Sequence, residues 1–140
     1  MREPSGMGAN VDRPSERVVS QRIRNRLIEY FSWASSFEEQ RDYQAVAPIW
    51  VPGEVFEQFY DTVREPVVAS DFDDVYSAGE IDALIAYSEV LDRARDETPD
   101  AWTPLEEFQA LPLWEEVRQA AEAAREAFAR RGPLPEDVEA

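Results

Sequence analysis

The residues of this chain whose types and spacing could do chemistry are carboxylates that recur at helical spacing. Glu54 and Glu57 form an E-x-x-E pair, and Glu89 and Asp92 form an E-x-x-D pair further along the chain. Residues three apart lie on one face of a helix, and carboxylate oxygens are ligands that suit Mg²⁺. The two pairs therefore support one enzymatic hypothesis, in which these four side chains hold a magnesium ion.

Few other catalytic groups are present. The 140 residues include no His, no Cys and no Lys. Their absence excludes Ser-His-Asp and Cys-His catalysis, zinc fingers, histidine-based di-iron sites and Schiff-base chemistry. A Walker loop would lack its Lys, and the five glycines never form a G-x-G-x-x-G array. Carboxylates, hydroxyls, Tyr and Arg are the functional groups that remain.

The two carboxylate pairs resemble those of the all-α nucleotide pyrophosphohydrolases of the MazG and dUTPase type. The resemblance covers four residues, and it implies binding of Mg²⁺ and a nucleoside triphosphate. This chain has Gly53 where an additional Glu usually precedes the first pair, and a long segment separates the two pairs. Because the chain has 30 acidic residues, such pairs also arise by chance. Exposed surface charge is the alternative interpretation.

A second acidic group lies at residues 71–76, with the sequence DFDDVY. An EF-hand loop beginning at Asp71 would place Val75 where an oxygen ligand is needed and Tyr76 where Gly is needed, so that motif is excluded. Phe72 and Tyr76 could anchor a partner rich in Arg or Lys, or they could pin the loop to the core. The predicted partner-binding residues are Glu54, Glu57, Asp61, Asp71, Phe72, Asp73, Asp74 and Tyr76.

The net charge of −16 is unevenly distributed along the chain. Residues 42–92 contain twelve acidic residues and one Arg, whereas residues 1–41 contain six acidic residues and seven Arg. Such a field attracts basic partners and repels nucleic acid and anionic lipid. An acidic surface can also serve solubility alone.

The leading hypothesis is a non-catalytic acidic binding protein that neutralises a basic protein partner and needs no cofactor. The class that best fits is an immunity or antitoxin-like inhibitor of a bacterial toxin. The Mg²⁺-dependent nucleotide hydrolase is the second hypothesis. The third is a nucleic-acid mimic that occupies DNA-binding proteins.

The location is expected to be cytoplasmic, without a membrane partner. The longest nearly apolar run, residues 45–51, is interrupted by Pro48 and is far shorter than the roughly 20 residues that a spanning helix needs. Arg22, Arg24 and Arg26 form a cationic cluster whose alternate spacing spreads it around a helix. We expect these side chains to pair with the acidic middle of the same molecule rather than with nucleic acid.

The elements that must position these side chains are predicted to be helices. Apolar residues recur every three or four positions rather than alternating, most clearly at Val55, Phe56, Phe59, Tyr60 and Val63. Longer helices are expected at residues 16–34, around residue 56, from 77 to about 95, and at 112–130. Shorter helices are expected at residues 37–46 and from 103 to about 110.

Capping patterns mark the starts of three of these helices. Each has a hydroxyl residue followed three positions later by Glu, which lets both side chains satisfy free backbone N–H groups. The pairs are Ser36 with Glu39, Ser77 with Glu80, and Thr103 with Glu106. The sequence therefore predicts one compact all-α domain at residues 15–132, made of four longer and two short helices, between a flexible tail at 1–14 and a loose acidic C-terminal tail at 133–140.

Overall fold

The structure is a computed structural model that describes residues 14–46, 50–63, 75–97 and 104–140. Within these ranges the chain forms six helices and no strand. The helices are α1 (Glu16–Ala34), α2 (Phe37–Val46), α3 (Val51–Thr62), α4 (Ala78–Glu97), α5 (Leu105–Gln109) and α6 (Pro112–Ala129). The prediction of a single compact all-α arrangement is confirmed. None of the described helices is both long enough and apolar enough to cross a membrane.

The starts of the helices agree with the capping signals. Ser77 N donates to Glu80 Oε1 and Glu80 N donates to Ser77 Oγ, both at 3.1 Å, which completes the predicted capping box of α4. Glu39 N donates to Ser36 Oγ at 3.1 Å at the start of α2. Thr103 lies outside the described residues, and Pro104 is the N-cap of α5 rather than its first helical residue.

The helices pack around one core. Helix α4 lies along α6, and α1 packs against α6 on one side and against α3 on another. Helices α2 and α5 close the end of the bundle, where each contacts α3 and the two contact each other. This end is the one that carries the candidate site described below.

Aromatic rings from four helices fill the centre. Phe31, Phe59 and Tyr87 meet edge to face or tilted, with ring centroids 5.0 to 6.3 Å apart. The buried hydroxyl of Tyr30 donates to Val55 O at 2.7 Å and lies 2.6 Å from the Tyr87 hydroxyl. Burying each such side chain contributes roughly 1.5–3 kcal/mol. The aromatic stripe around Phe59 therefore serves the core, as its spacing predicted.

A buried charge junction, formed by Arg24, Glu80 and Arg131, ties three parts of the chain together. Arg24 donates from Nε to Glu80 Oε1 at 3.1 Å and from Nη2 to Oε2 at 2.8 Å. Arg131 donates to the same carboxylate at 3.1 and 2.7 Å. The expectation that the cationic cluster pairs with the acidic middle of the molecule is confirmed for Arg24.

The junction determines the ionisation of Glu80. Burial alone would raise the pKa of this carboxyl, but hydrogen bonds from Arg24, from Arg131 and from the Ser77 backbone N–H lower that pKa to about 2. Each charge at this place therefore has partners of opposite sign, as a buried charge requires.

The chain after α6 is held in place, so the prediction of a loose C-terminal tail is wrong. Gly132 takes the left-handed conformation, with φ of 72°, and its N–H donates to Phe128 O at 3.0 Å, which ends α6. The C-terminal segment, residues 134–140, then hydrogen-bonds to side chains of α1. The partners lie more than 100 residues away in sequence, so no local pattern could reveal them.

Candidate functional site

A cleft opens at the end of the bundle between the last turn of α1, the first two turns of α2 and the C-terminal half of α3. Its volume is about 510 Å³, and its lining includes Trp33, Glu39, Asp42, Tyr43 and Gln58. We call these five residues the acidic cleft. The lining combines two aromatic rings, two carboxylates and one carboxamide, and it contains no cationic side chain among the described residues.

Two rings set at right angles form the apolar part of the cleft. The ring centroids of Trp33 and Tyr43 are 5.8 Å apart and their planes make an angle of 87°. Trp33 also contacts Tyr30, with ring centroids 6.1 Å apart, so this wall continues into the core. Tyr43 remains 38% exposed, and Val46, three residues further along α2, is 82% exposed. An apolar surface therefore faces solvent beside the carboxylates.

Glutamine side chains fix α2 against the end of α1. The buried Gln40 carboxamide donates to Ala34 O at 3.0 Å and to Trp33 O at 3.3 Å, which satisfies carbonyls that the helix end leaves free. Gln109 of α5 donates to Gln40 Oε1 at 3.2 Å and to Phe37 O at 3.1 Å. These bonds position the rings of Trp33 and Tyr43 before any ligand is present.

Among the residues that the structure describes, the carboxylates of the acidic cleft have no cationic partner. Glu39 and Asp42 are three apart on α2 and both are exposed. Neither takes part in an ion pair within the described part of the chain. On the facing helix α3, Gln58 Nε2 donates to Glu54 Oε1 at 3.2 Å, which places a third carboxylate next to the lining.

This arrangement suits an Arg or Lys side chain from a partner. A cation over an exposed aromatic ring contributes about 0.5–1 kcal/mol, and an exposed ion pair contributes roughly 0.2–1 kcal/mol. One inserted guanidinium that makes both kinds of contact would gain about 0.7–2 kcal/mol, which is about a 3- to 30-fold change in affinity.

A second groove, of about 530 Å³, lies beside the start of α6 and differs in its charges. Its lining includes Arg93 and Glu116, which already form an ion pair at 2.7 Å. Its apolar lining is Leu111, Pro112, Leu113 and Trp114, and Glu97 is its second carboxylate. This groove therefore has a cation of its own, Arg93, which the lining of the acidic cleft lacks.

The structure separates the predicted partner-binding residues into three groups. Glu54, Glu57 and Asp61 lie on α3, and the last two are exposed. Tyr76 is only 3% exposed and packs on Phe128, with ring centroids 6.2 Å apart. This burial agrees with the alternative in which Tyr76 pins its loop to the core, so we remove Tyr76 from the predicted surface. Four predicted residues lie outside the described ranges: Asp71, Phe72, Asp73 and Asp74.

The alternative metal site is not assembled in the described structure. No three acidic side chains in the described ranges are grouped as a metal ion requires, although Glu54, Glu57, Glu89 and Asp92 are all described. Tyr60 donates a hydrogen bond to Asp92. Partial burial and this hydrogen bond raise the pKa of Tyr60. The four carboxylates of the E-x-x-E and E-x-x-D pairs therefore do not form a metal-binding group in the described structure.

Sequence reasoning missed the acidic cleft itself. Glu39 was assigned only a capping role, and Trp33, Asp42 and Tyr43 were not singled out. The available signal was the pattern E-x-x-D-Y on α2, which places Glu39 and Asp42 on one face with an aromatic residue beside them. The position of Trp33 opposite that face depends on how α2 folds back onto α1.

Comparison of the chain with protein-family models, with curated proteins and with solved structures finds no match in any of the three. The fold and the charge define an acidic all-α protein. The acidic cleft is the feature of this protein that bears most directly on its function.

Proposed function

We propose that this protein is a non-catalytic acidic binding protein that neutralises a basic protein partner in the cytoplasm. The most specific form of the proposal is an immunity or antitoxin-like inhibitor that covers the basic surface of a bacterial toxin. It requires no metal, no cofactor and no direct contact with nucleic acid. The net charge of −16 supports it, because such a field speeds encounter with a basic partner.

The observation that carries the proposal is the acidic cleft. In the described ranges Glu39 and Asp42 have no cationic partner, and they lie beside the partly exposed Trp33 and the exposed Tyr43. A charge cluster that served only solubility would have no need of aromatic rings next to it. Anchor residues at protein interfaces are often Arg and aromatic side chains that fill pockets on the partner. This cleft supplies the aromatic and carboxylate side chains of a pocket for an Arg.

The surrounding helices extend the same surface. Glu57 and Asp61 are exposed on α3 and make no ion pair in the part of the chain that the structure describes. Val46 adds exposed apolar surface at the end of α2. The proposed interface therefore has an aromatic centre with carboxylates around it, an arrangement that resembles the core and rim of known interfaces.

A titration followed by NMR tests the proposal directly. The probe is a short glycine-flanked peptide that contains Arg, and its control is the same peptide with citrulline, which has nearly the same shape but no charge. We expect the Arg peptide to shift the Trp33 indole N–H signal and the Tyr43 ring signals, and the citrulline peptide to shift them much less. Equal shifts from both peptides, or none from either, would overturn the proposed site.

Matched variants show whether the position of the charge matters. The double variant Glu39→Gln with Asp42→Asn removes two negative charges from the acidic cleft. The control, Asp82→Asn with Glu89→Gln, removes two from exposed positions on α4. We expect only the first variant to lose the response to the Arg peptide, because non-specific attraction would weaken equally in both. Turnover of a nucleoside triphosphate with Mg²⁺ by the unaltered protein would instead favour the hydrolase hypothesis.

A complex with the native partner has two further expected properties. It should be stoichiometric, and it should weaken as salt screens the charges, since the screening length is about 8 Å at physiological ionic strength. The triple variant Asp71→Asn, Asp73→Asn and Asp74→Asn tests the predicted central acidic segment separately. If the triple variant keeps full affinity for the partner, that segment is not part of the interface, while the acidic cleft is tested on its own by its double variant.

A further inference from the structure

The C-terminal segment lies on α1 in the manner of a bound peptide. Gln21 and Asn25 are four residues apart and therefore share one face of α1, and they are 0% and 6% exposed. We call these two residues the amide clamp. Both are buried polar side chains that would need partners in any folded protein, and the C-terminal segment supplies them.

Each carboxamide of the clamp uses both its nitrogen and its oxygen. Gln21 Nε2 donates to Pro135 O and Val138 O at 2.8 Å, and Gln21 Oε1 accepts from Ala140 N at 2.8 Å. Asn25 Nδ2 donates to Leu134 O at 2.8 Å, and Asn25 Oδ1 accepts from Leu134 N at 2.9 Å.

The contacts are made mainly to the main chain of the segment. Arg22 Nε adds a hydrogen bond to Glu136 O at 2.7 Å. The side chains of residues 135–140 are exposed, and Leu134 alone among the segment's residues packs against the core. The specific side-chain contacts are a hydrogen bond from Asn25 to the Glu136 carboxylate at 2.8 Å and a loose ion pair between Arg22 and Asp137 at 3.8 Å.

We propose that the amide clamp is a peptide-binding site that recognises the main chain of a segment bent around Gln21. Its resident ligand is the C-terminal segment of the same chain, and the same segment from a second copy can occupy the site when the resident one is removed. The ligand is therefore a peptide, and the site recognises its main-chain groups and one apolar side chain at the position of Leu134.

The covalent connection explains why the segment of the same chain occupies the site. Only Gly132, in its left-handed turn, and Pro133 separate Arg131 of the buried charge junction from Leu134. A short connection of this kind gives an effective concentration on the order of 1 mM. A free peptide at lower concentration therefore cannot compete, and binding between copies should appear only when the connected segment is absent.

Amide hydrogen exchange in the full chain tests main-chain recognition. The Leu134 and Ala140 amides donate to the clamp, so we expect both to exchange slowly although their segment is exposed. The variant Gln21→Ala with Asn25→Ala should speed both by about tenfold or more, since it removes both acceptors. The variant Glu136→Gln, Asp137→Asn and Val138→Ala should leave both rates within about twofold, because it keeps the main chain. Fast exchange in the unaltered chain, or equal effects of the two variants, would overturn the proposal.

Binding of a free peptide to a shortened chain tests whether the C-terminal segment can occupy the clamp when it is not covalently connected to it. The receptor is a chain that ends at Pro133, and the probe is the peptide LPEDVEA at concentrations up to about 0.1 mM, well below the effective concentration of the connected segment. We expect saturable binding that raises the melting temperature of the receptor, no binding to the full chain, and none to a receptor with Gln21→Ala and Asn25→Ala. A folded receptor that ignores the peptide would contradict the proposal. If the shortened chain does not fold, the exchange rates in the full chain decide the matter.

Discussion

The acidic cleft and the buried charge junction both contain carboxylates, but the carboxylates have partners at the junction and none in the cleft among the described residues. At the junction, Glu80 accepts four hydrogen bonds from two Arg side chains and another from the Ser77 backbone. In the cleft, Glu39 and Asp42 have no ion pair within the described residues.

Exposure explains the difference. The Glu80 side chain is about 1% exposed, and an unpaired charge there would be very costly. Glu39 and Asp42 are exposed, so water solvates them and the fold does not require a partner. The Glu80 carboxylate, whose charge is fully paired, therefore stabilises the fold. The cleft carboxylates, which have no ion pair in the described residues, leave their surface available to a partner.

The largest expected effect on stability is at the junction. Arg24→Ala should lower the free energy of unfolding by about 3–5 kcal/mol, because it leaves a buried carboxylate with a single remaining Arg. Arg26→Ala is the control, since Arg26 is exposed on the same helix and its loss should stay within about 0.5 kcal/mol. Urea denaturation measures both. A loss below about 1 kcal/mol for Arg24→Ala would remove the contrast with the cleft.

Acid should remove the stability that the junction contributes to the fold. The folded state lowers the pKa of Glu80 to about 2 from 4.5, so its contribution is complete above pH 4.5 and is lost as the pH falls towards 2. Linkage makes that contribution about 3 kcal/mol. Thermal unfolding measured between pH 6 and pH 2 should show this loss, and the variant Glu80→Gln should show a shallower dependence on pH.

Loss of the Tyr30 hydroxyl should lower the free energy of unfolding more than loss of the Tyr87 hydroxyl. Tyr30→Phe removes the group that the Tyr87 hydroxyl bonds to and should cost about 1–3 kcal/mol. Tyr87→Phe leaves the bond from Tyr30 to Val55 O intact, so its cost should be smaller, about 0.5–1.5 kcal/mol. Denaturation of the two variants side by side checks the order. A greater loss for Tyr87→Phe would mean that the hydrogen bonds run differently.

The smallest effect on stability is expected at the acidic cleft. Glu39→Gln with Asp42→Asn should change the free energy of unfolding by no more than about 0.5 kcal/mol, as for other exposed substitutions. A gain is also compatible with the account, because removal of like charges relieves repulsion. A loss of several kcal/mol would show that these carboxylates support the fold, which would make the cleft resemble the junction.

Much of the fold could be predicted because its signals are local. The spacing of Val55 and Phe59 identified the buried face of α3, and the Ser77 and Glu80 pair located the start of α4 within one turn. The composition also showed that carboxylates would dominate any site. These features depend on residues within a few positions of each other.

The functional features could not be predicted because they depend on distant contacts. The partners of Gln21 lie in the C-terminal segment, and Trp33 meets Tyr43 only because α2 folds back on α1. Tyr76 was assigned to a surface because it sits among carboxylates in the sequence, yet its ring enters the core. When charged and aromatic residues alternate within one segment, the sequence does not show which of them face the core and which face solvent.

The most direct test of the acidic cleft as a binding site is the dissociation constant of the complex with the Arg peptide at low salt. The account predicts that Glu39→Gln with Asp42→Asn weakens binding about tenfold, which corresponds to about 1.4 kcal/mol. The control, Asp82→Asn with Glu89→Gln, should weaken it less than about twofold, since distant exposed charges are screened. Equal weakening by the two double variants would show that only the overall charge attracts the peptide, and would contradict the account.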